Sequence, residues 1–214
     1  NHIIIMGMRS MKTIDGMSKI YNSLVILDRN LKLLAKYDKN KLVPFGEFIP
    51  FENYLSKFGL KKITQGYQSF SASNKREIIN IYNKKFLPLI CYEIIYSGKL
   101  KSIEQNFDFI INISEDGWFG NSIGPYQHFS HSKFRAIEEG KYIIRSANNG
   151  ISAYISPKGK IIHKLESTQK GVIEVKKFEY AKKTFFVTHG NKIFFYFLIF
   201  YISLFFFINR REQR

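Results

Sequence analysis

The sequence predicts an α/β fold, and three observations lead there. Two short apolar runs, Phe86 to Ile90 (FLPLI) and Phe107 to Ile113 (FDFIINI), have the length and β-branched content of buried strands. Helix-like stretches follow each run, at residues 94–105 and 128–140. Strands alternating with helices are the signature of the α/β class.

The remaining elements follow in order. Residues 21–27 and 31–36 read as two strands joined by a turn at Asp28-Arg29-Asn30. The chain then passes through Tyr37-Asp38-Lys39-Asn40-Lys41 into LVPFGEFIPFENYLSKFGL, where two prolines and Gly46 predict an irregular loop. A short helix is expected at 52–58. Strands are expected at 77–82 and 86–91, with the helix at 94–105 starting just after Cys91. Asp116 to Gln127 (DGWFGNSIGPYQ) is a glycine- and aromatic-rich loop leading into the amphipathic helix at 128–140. Strands at 142–147 and 151–156, a Pro157-Lys158-Gly159 turn, a strand at 160–165 and a last one at 171–175 complete the domain. There is no internal repeat and no low-complexity linker.

With 214 residues and a net charge of +16, the chain holds one sizeable domain with a strongly basic balance. The lysines are spread along the whole length. No run of five or six adjacent basic residues and no nucleic-acid-binding motif occurs, so a nucleic-acid partner is not expected. A single cysteine excludes an intramolecular disulfide and any cysteine-cluster metal site. His128 and His131 stand three apart on a predicted helix, but no carboxylate completes a metal-binding pattern. Both are expected on the surface, and no metal or cofactor is implied.

The start, NHIIIMGMRSMKT, is too short and mixed for the apolar core of a secretory signal. The carboxyl end differs. Ile193 to Ile208 is uncharged and apolar or aromatic apart from Ser203. Sixteen helical residues rise about 24 Å, a little under the roughly 30 Å hydrocarbon core. Lys192 on one side and Arg210, Arg211 and Arg214 on the other can snorkel to the two interfaces. A domain over 1–184, a juxtamembrane linker at 185–192, a membrane helix at 193–209 and a basic tail at 210–214 are therefore expected. The basic tail points to a cytoplasmic carboxyl end, with the domain on the outer side.

Cys91 ends the run FLPLIC, where a buried strand would emerge. On composition alone it is a small core hydrophobe. At a strand-to-helix junction a thiol also gains thiolate character from the helix dipole, so a nucleophile is the other reading. Lys39 by itself reads as a solvated loop lysine. Glu47 follows Gly46 between apolar residues, a place that suits a charge only when it is paired. Glu93 lies two residues past Cys91, and Arg145 sits inside the strand IIRSA, where a buried ion pair is expected. Tyr92 and Trp118 are either core aromatics or the lining of a substrate pocket.

Taken together, YDK at 37–39, PFGE at 44–47, ICYE at 90–93, DGWFG at 116–120, Arg145 and NNG at 148–150 resemble the nitrilase superfamily. LVPFGEFIPF and DGWFGNSIGPYQH look most like its membrane branch, the apolipoprotein N-acyltransferases. The resemblance implies a nitrilase-like four-layer α-β-β-α sandwich, incomplete at its amino-terminal edge, with one carboxy-terminal membrane helix. It implies Cys91 as nucleophile, Lys39 as oxyanion stabiliser, Glu47 and Glu93 as supporting carboxylates, and Tyr92 and Trp118 as substrate-lining residues. A phospholipid would donate an acyl group through a Cys91 thioester to the amino-terminal amine of a diacylglyceryl-modified apolipoprotein, at the periplasmic face of a bacterial inner membrane.

One part of the pattern is missing. The family's general base is a glutamate upstream of the lysine, and no glutamate precedes Lys39. Asp15 and Asp28 have turn explanations, and Asp38 would point away from Lys39 in an extended segment. The resemblance therefore implies the carboxy-terminal portion of such an enzyme, inactive alone or served by a separate chain carrying the base and further membrane helices. A membrane-tethered amidase of the carbon-nitrogen hydrolase type, and an inactive remnant or partner subunit lacking the general-base glutamate, are the alternatives.

Overall fold

A computed structural model describes residues 2–51, 54, 69–98, 100, 106–175, 178 and 183–212. Two β-sheets face one another. The first is an antiparallel meander of β1 (Ile3–Ile14), β2 (Met17–Asp28) and β3 (Leu33–Asp38). Asp15 and Gly16, at φ 51° and 74°, form the tight β1–β2 turn, in the left-handed pair of conformations that two-residue hairpins require. In the β2–β3 turn the Asp28 carboxylate accepts from the Asn30 and Lys32 amides at 2.8 and 2.9 Å.

The second sheet has six strands in chain order: β4 (Ile79–Ile81), β5 (Lys84–Ile90), β6 (Phe109–Glu115), β7 (Tyr142–Asn148), β8 (Ser152–Ile155) and β9 (Ile161–Leu165). The three central strands, β5, β6 and β7, are parallel, and the outer pairs are antiparallel. Parallel strands buried on both faces explain the near-continuous apolar runs. One face packs on the first sheet through Leu24, Ile26 and Tyr37 against Phe86, Ile90 and Phe109. The other face packs Leu87, Leu89, Ile110 and Ile143 against Phe129 and Ala136 of α1 (Gly124–Glu139). The described residues thus make three layers, β-β-α, of the expected sandwich.

A short helix, α2 (Phe185–His189), is capped by Thr184, whose hydroxyl accepts from the Val187 amide at 3.0 Å and donates to the Glu138 carbonyl. Asn191 donates to the Ser97 carbonyl at 3.3 Å, so this segment is tied to the domain at two points. It leads into α3 (Lys192–Glu212), whose stretch Lys192–Arg210 has a mean hydropathy of 1.9 and is unburied throughout. At 1.5 Å per residue that helix is about 32 Å long, enough to cross a hydrocarbon core.

Several expectations change. Ile3–Ile14, read as mixed sequence, is a full strand; it lies at a sheet edge with most side chains exposed, so it lacks a sustained alternation. The helix expected from residue 94 is absent over 94–98, where a 3-10 turn, Cys91–Ile95, gives way to irregular chain; residues 99 and 101–105 lie outside the described residues. The helix at 128–140 begins four residues earlier, because Pro125 occupies its first turn, where a missing N–H costs nothing. Residues 171–175 carry no ladder: Ile173 and Val175 pack on the inter-sheet core while Val172 is exposed. The linker at 185–192 contains α2. The helix at 52–58 lies outside the described residues except for Tyr54.

Leu24 is fully buried between the sheets. Leu24→Ala should lower stability by roughly 2–5 kcal/mol, read as a lower urea midpoint in detergent. A change under about 0.5 kcal/mol would mean that the two sheets do not share this core.

Candidate active site

Three parallel strands end side by side, with Ile90 opposite Ile113 and Glu115 opposite Asn148. Their carboxyl ends deliver Cys91, Asp116 and the Asn148-Asn149-Gly150 turn to one edge of the sheet. Open parallel sheets carry their ligand sites at this edge. β3 of the facing sheet ends at Asp38, so Lys39 follows it directly.

Cys91 is partly buried, a free thiol at φ 51°. A left-handed conformation is costly for a residue with a Cβ and concentrates where the surrounding structure enforces it. The 3-10 turn that Cys91 opens has five residues, too short for the helix-dipole activation that the sequence suggests.

Glu93, in the same turn, is fully buried. Its Oε2 accepts from the Ile90 amide at 2.9 Å. Its Oε1 accepts from the Tyr37 hydroxyl at 2.9 Å and from the Asn40 and Lys41 amides at 3.0 Å each. Arg76 stands 3.8 Å away as counter-charge. Burial, with the Glu93 charge beside it, pushes the Tyr37 phenol above its ordinary range. Glu93 therefore binds the residues on both sides of Lys39 to the residue before Cys91.

Lys39 is only 1% exposed and is no solvated loop lysine. Its Nζ lies 2.9 and 2.8 Å from the two carboxylate oxygens of Glu47. Glu47 also accepts from Asn22 Nδ2 and the Val43 amide, each at 2.9 Å. The turn that presents it is closed by Glu47 N to Val43 O at 2.8 Å and Phe45 N to Phe48 O at 2.7 Å. A buried ammonium held by a multiply bonded carboxylate is a fixed point charge in a low-dielectric setting, the kind of group that stabilises a developing oxyanion.

A second buried network lies at the ends of β6 and β7, and it corrects the reading of the histidines. His128, expected on the surface, is 4% exposed. Its Nδ1 lies 2.9 Å from Asp116 Oδ1, and its Nε2 lies 3.2 Å from the Cys91 carbonyl oxygen. Arg145 donates to Asp116 Oδ2 at 2.6 Å, to the Ile151 carbonyl at 3.1 Å and to Asn112 Oδ1. Ser114 adds a bond to Asp116 at 2.7 Å. Gly150 is required here, since a Cβ would overlap the Asp116 carboxyl. The buried pair expected for Arg145 thus has Asp116 as its partner. The sequence places Asp116 in a loop and His128 on the surface, because DGW reads as a turn and a histidine three from another reads as a polar helix face.

Tyr92 lies beside Cys91, partly buried, its ring edge-on to Tyr96 at 5.8 Å. Trp118 is 66% exposed on the 3-10 turn Asp116–Phe119. No cluster of three or more metal-ligating side chains occurs among the described residues.

Burial would raise the pKa of Asp116, but the His128 hydrogen bond, the Arg145 charge and the Ser114 bond together hold it below the ordinary carboxylate value. A depressed carboxylate pKa contributes stability that is full above the unfolded value of about 3.9 and is lost as pH falls through the folded value. Asp116→Asn should lower stability at neutral pH by roughly 3–5 kcal/mol, because Arg145 is left buried without its counter-charge. It should also flatten the acid limb below about pH 4, measured by urea unfolding across pH. An unchanged acid limb would contradict this placement of the charge.

A family model for carbon-nitrogen hydrolases matches residues 1–176. Among curated proteins, the chain is 41% identical over 157 residues to an apolipoprotein N-acyltransferase of Agrobacterium fabrum, covering 73% of this chain and 30% of that one. It is 38% identical over 157 residues to the same-named protein of Rhizobium rhizogenes, with 73% and 30% coverage. To that of Rickettsia prowazekii it is 41% identical over 157 residues, covering 73% and 31%. The chain thus spans about 30% of the length of the curated relatives it matches. Among solved structures, Nit3 of Saccharomyces cerevisiae, of branch 10 of the nitrilase superfamily, has a TM-score of 0.56 at 20% identity over 78% of this chain and 57% of that chain. An amidase from Nesterenkonia sp. has a TM-score of 0.54 at 12% identity over 78% and 58%. These likenesses establish the nitrilase fold, and the bacterial relatives together with the apolar α3 suggest a bacterial membrane protein. By the match over residues 1–176, the chain belongs to the carbon-nitrogen hydrolase family.

Proposed function

We propose that this chain carries the acyl-transfer centre of an apolipoprotein N-acyltransferase, with Cys91 as nucleophile. The observation that carries the reading is the buried Lys39–Glu47 pair, tied through Glu93 to the turn that presents Cys91. The Cys91 thiolate adds to an ester carbonyl of a phospholipid, and Lys39 stabilises the oxyanion that forms. Collapse breaks the acyl carbon–oxygen bond, releases the lysophospholipid alcohol with a proton, and leaves a thioester on Cys91. The amino-terminal amine of a diacylglyceryl-modified apolipoprotein attacks that thioester, forming the amide and returning the thiol. Glu47 orients Lys39, and Tyr92 and Trp118 border the substrate approach. The relatives' name and the apolar α3 support a bacterial membrane location, and the basic residues after α3 support placing the domain on the periplasmic side.

The general base is not among the acidic residues before Lys39. Asp28 closes the β2–β3 turn, and Asp15 closes the β1–β2 turn in an exposed position. Asp38 is taken by Ser23 at 2.6 Å, Lys12 at 2.9 Å and Lys36 at 3.1 Å. Base assistance commonly contributes 10²–10⁴-fold, so phospholipid should acylate the isolated chain that much more slowly than it acylates a complete site.

An activated nitrophenyl ester of a long-chain fatty acid, whose leaving group departs without proton transfer, tests the roles of Cys91 and Lys39 independently of the base. Intact-mass analysis should show one acyl group on Cys91 and none in Cys91→Ser. Lys39→Met should slow the acylation roughly 10²–10³-fold. Equal acylation in Lys39→Met, or label on another residue, would overturn the assignment.

A further inference from the structure

The His128 network extends to the backbone of Cys91 itself. The Cys91 carbonyl can only accept, so the His128 Nε2 that stands 3.2 Å from it carries the proton and donates. On the other side of the ring the Asp116 carboxylate can also only accept, so Nδ1 donates to it at 2.9 Å and the ring donates from both nitrogens, with an Arg145 guanidinium nitrogen 3.2 Å from the same Nδ1. Asp116 is itself immobilised by Arg145 and Ser114. The chain of bonds runs from the ends of β6 and β7, through a side chain of α1, to one peptide carbonyl at the end of β5.

We infer that His128 is a positioning residue, which holds Cys91 in its left-handed conformation by donating from Nε2 to the Cys91 carbonyl. At φ 51° the residue is strained, and its relaxation to negative φ would swing both its carbonyl and its Cα–Cβ bond. A hydrogen bond to this partly buried carbonyl opposes that relaxation, because turning the carbonyl away gives up the bond. Glu93 holds the amide of residue 90 before Cys91, and His128 holds the carbonyl of Cys91 itself. The thiol direction is thus fixed from both sides. The Phe119 ring lies tilted against the His128 ring, 5.6 Å between centroids, which restricts its rotation.

The inference rests on Cys91 being the nucleophile, and its test separates the two. Two variants divide the functions of the ring. The amide nitrogen of His128→Gln reaches the Nε2 position and keeps the bond to the Cys91 carbonyl. The amide of His128→Asn reaches only the Nδ1 position and keeps Asp116. Because Cys91 is the sole cysteine, carbonyl-13C-cysteine gives the full chain in detergent a single labelled resonance. That resonance should stay near its wild-type shift in the Gln variant and move in the Asn variant. The rate constant for nitrophenyl-ester acylation at saturating ester should fall about tenfold in His128→Asn and stay within about threefold in His128→Gln, with half-saturation unchanged in both. An unmoved resonance in the Asn variant, or equal acylation losses in the two, would overturn the inference. A wild-type chain that does not acylate would defeat the proposed function alone, since the carbonyl resonance still reads the bond.

Discussion

A single buried carboxylate, Glu93, joins the two sheets at the candidate site. It accepts hydrogen bonds from Tyr37, Asn40 and Lys41 of one sheet's last strand and the loop after it, and from Ile90 of the other sheet. A fully buried carboxylate is tolerated only when its oxygens are saturated in this way. Satisfying Glu93 therefore forces the segment bearing Lys39 to lie against the turn bearing Cys91. The inter-sheet core supplies the packing, and this one group supplies the register.

Beside that clamp the protein holds two further charge systems, each with a buried cation. Lys39 and Glu47 form one, with Asn22 and the Val43 amide completing the carboxylate. Asp116, Arg145 and His128 form the other, anchored in parallel strands that end in register. Buried pairs of this kind are weak contributors to net stability relative to apolar packing, and strong penalties follow when one partner is lost. Their concentration at one sheet edge, together with a left-handed cysteine, is the pattern of a preorganised catalytic site.

Much of this was legible in the sequence, for identifiable reasons. β5 and β6 are buried on both faces, so their apolar runs declared them. The β2–β3 hairpin was marked by Asp28, whose side chain makes the turn's own hydrogen bonds. The order of Lys39, Glu47, Cys91 and Glu93 pointed to the family before any geometry was known. What escaped was long-range. β1 is an edge strand whose exposed side chains mimic a loop. Lys39 looks like any other lysine until Glu47 folds back over it. His128 has nothing in its neighbourhood to betray burial; its partners lie 12 and 37 residues away. The stretch at 171–175 has strand-like composition but finds no ladder, because its apolar residues are used in capping the inter-sheet core.

The clamp by Glu93 is the claim on which the site geometry rests, and amide hydrogen exchange measures it directly. In Glu93→Leu the volume is nearly kept and the acceptors are gone. The Asn40, Lys41 and Ile90 amides should then lose protection together, by at least about tenfold, while the Ile110 and Ile143 amides keep theirs. Protection that persists at all three sites in the variant would show that Lys39 and Cys91 are held together by something other than Glu93.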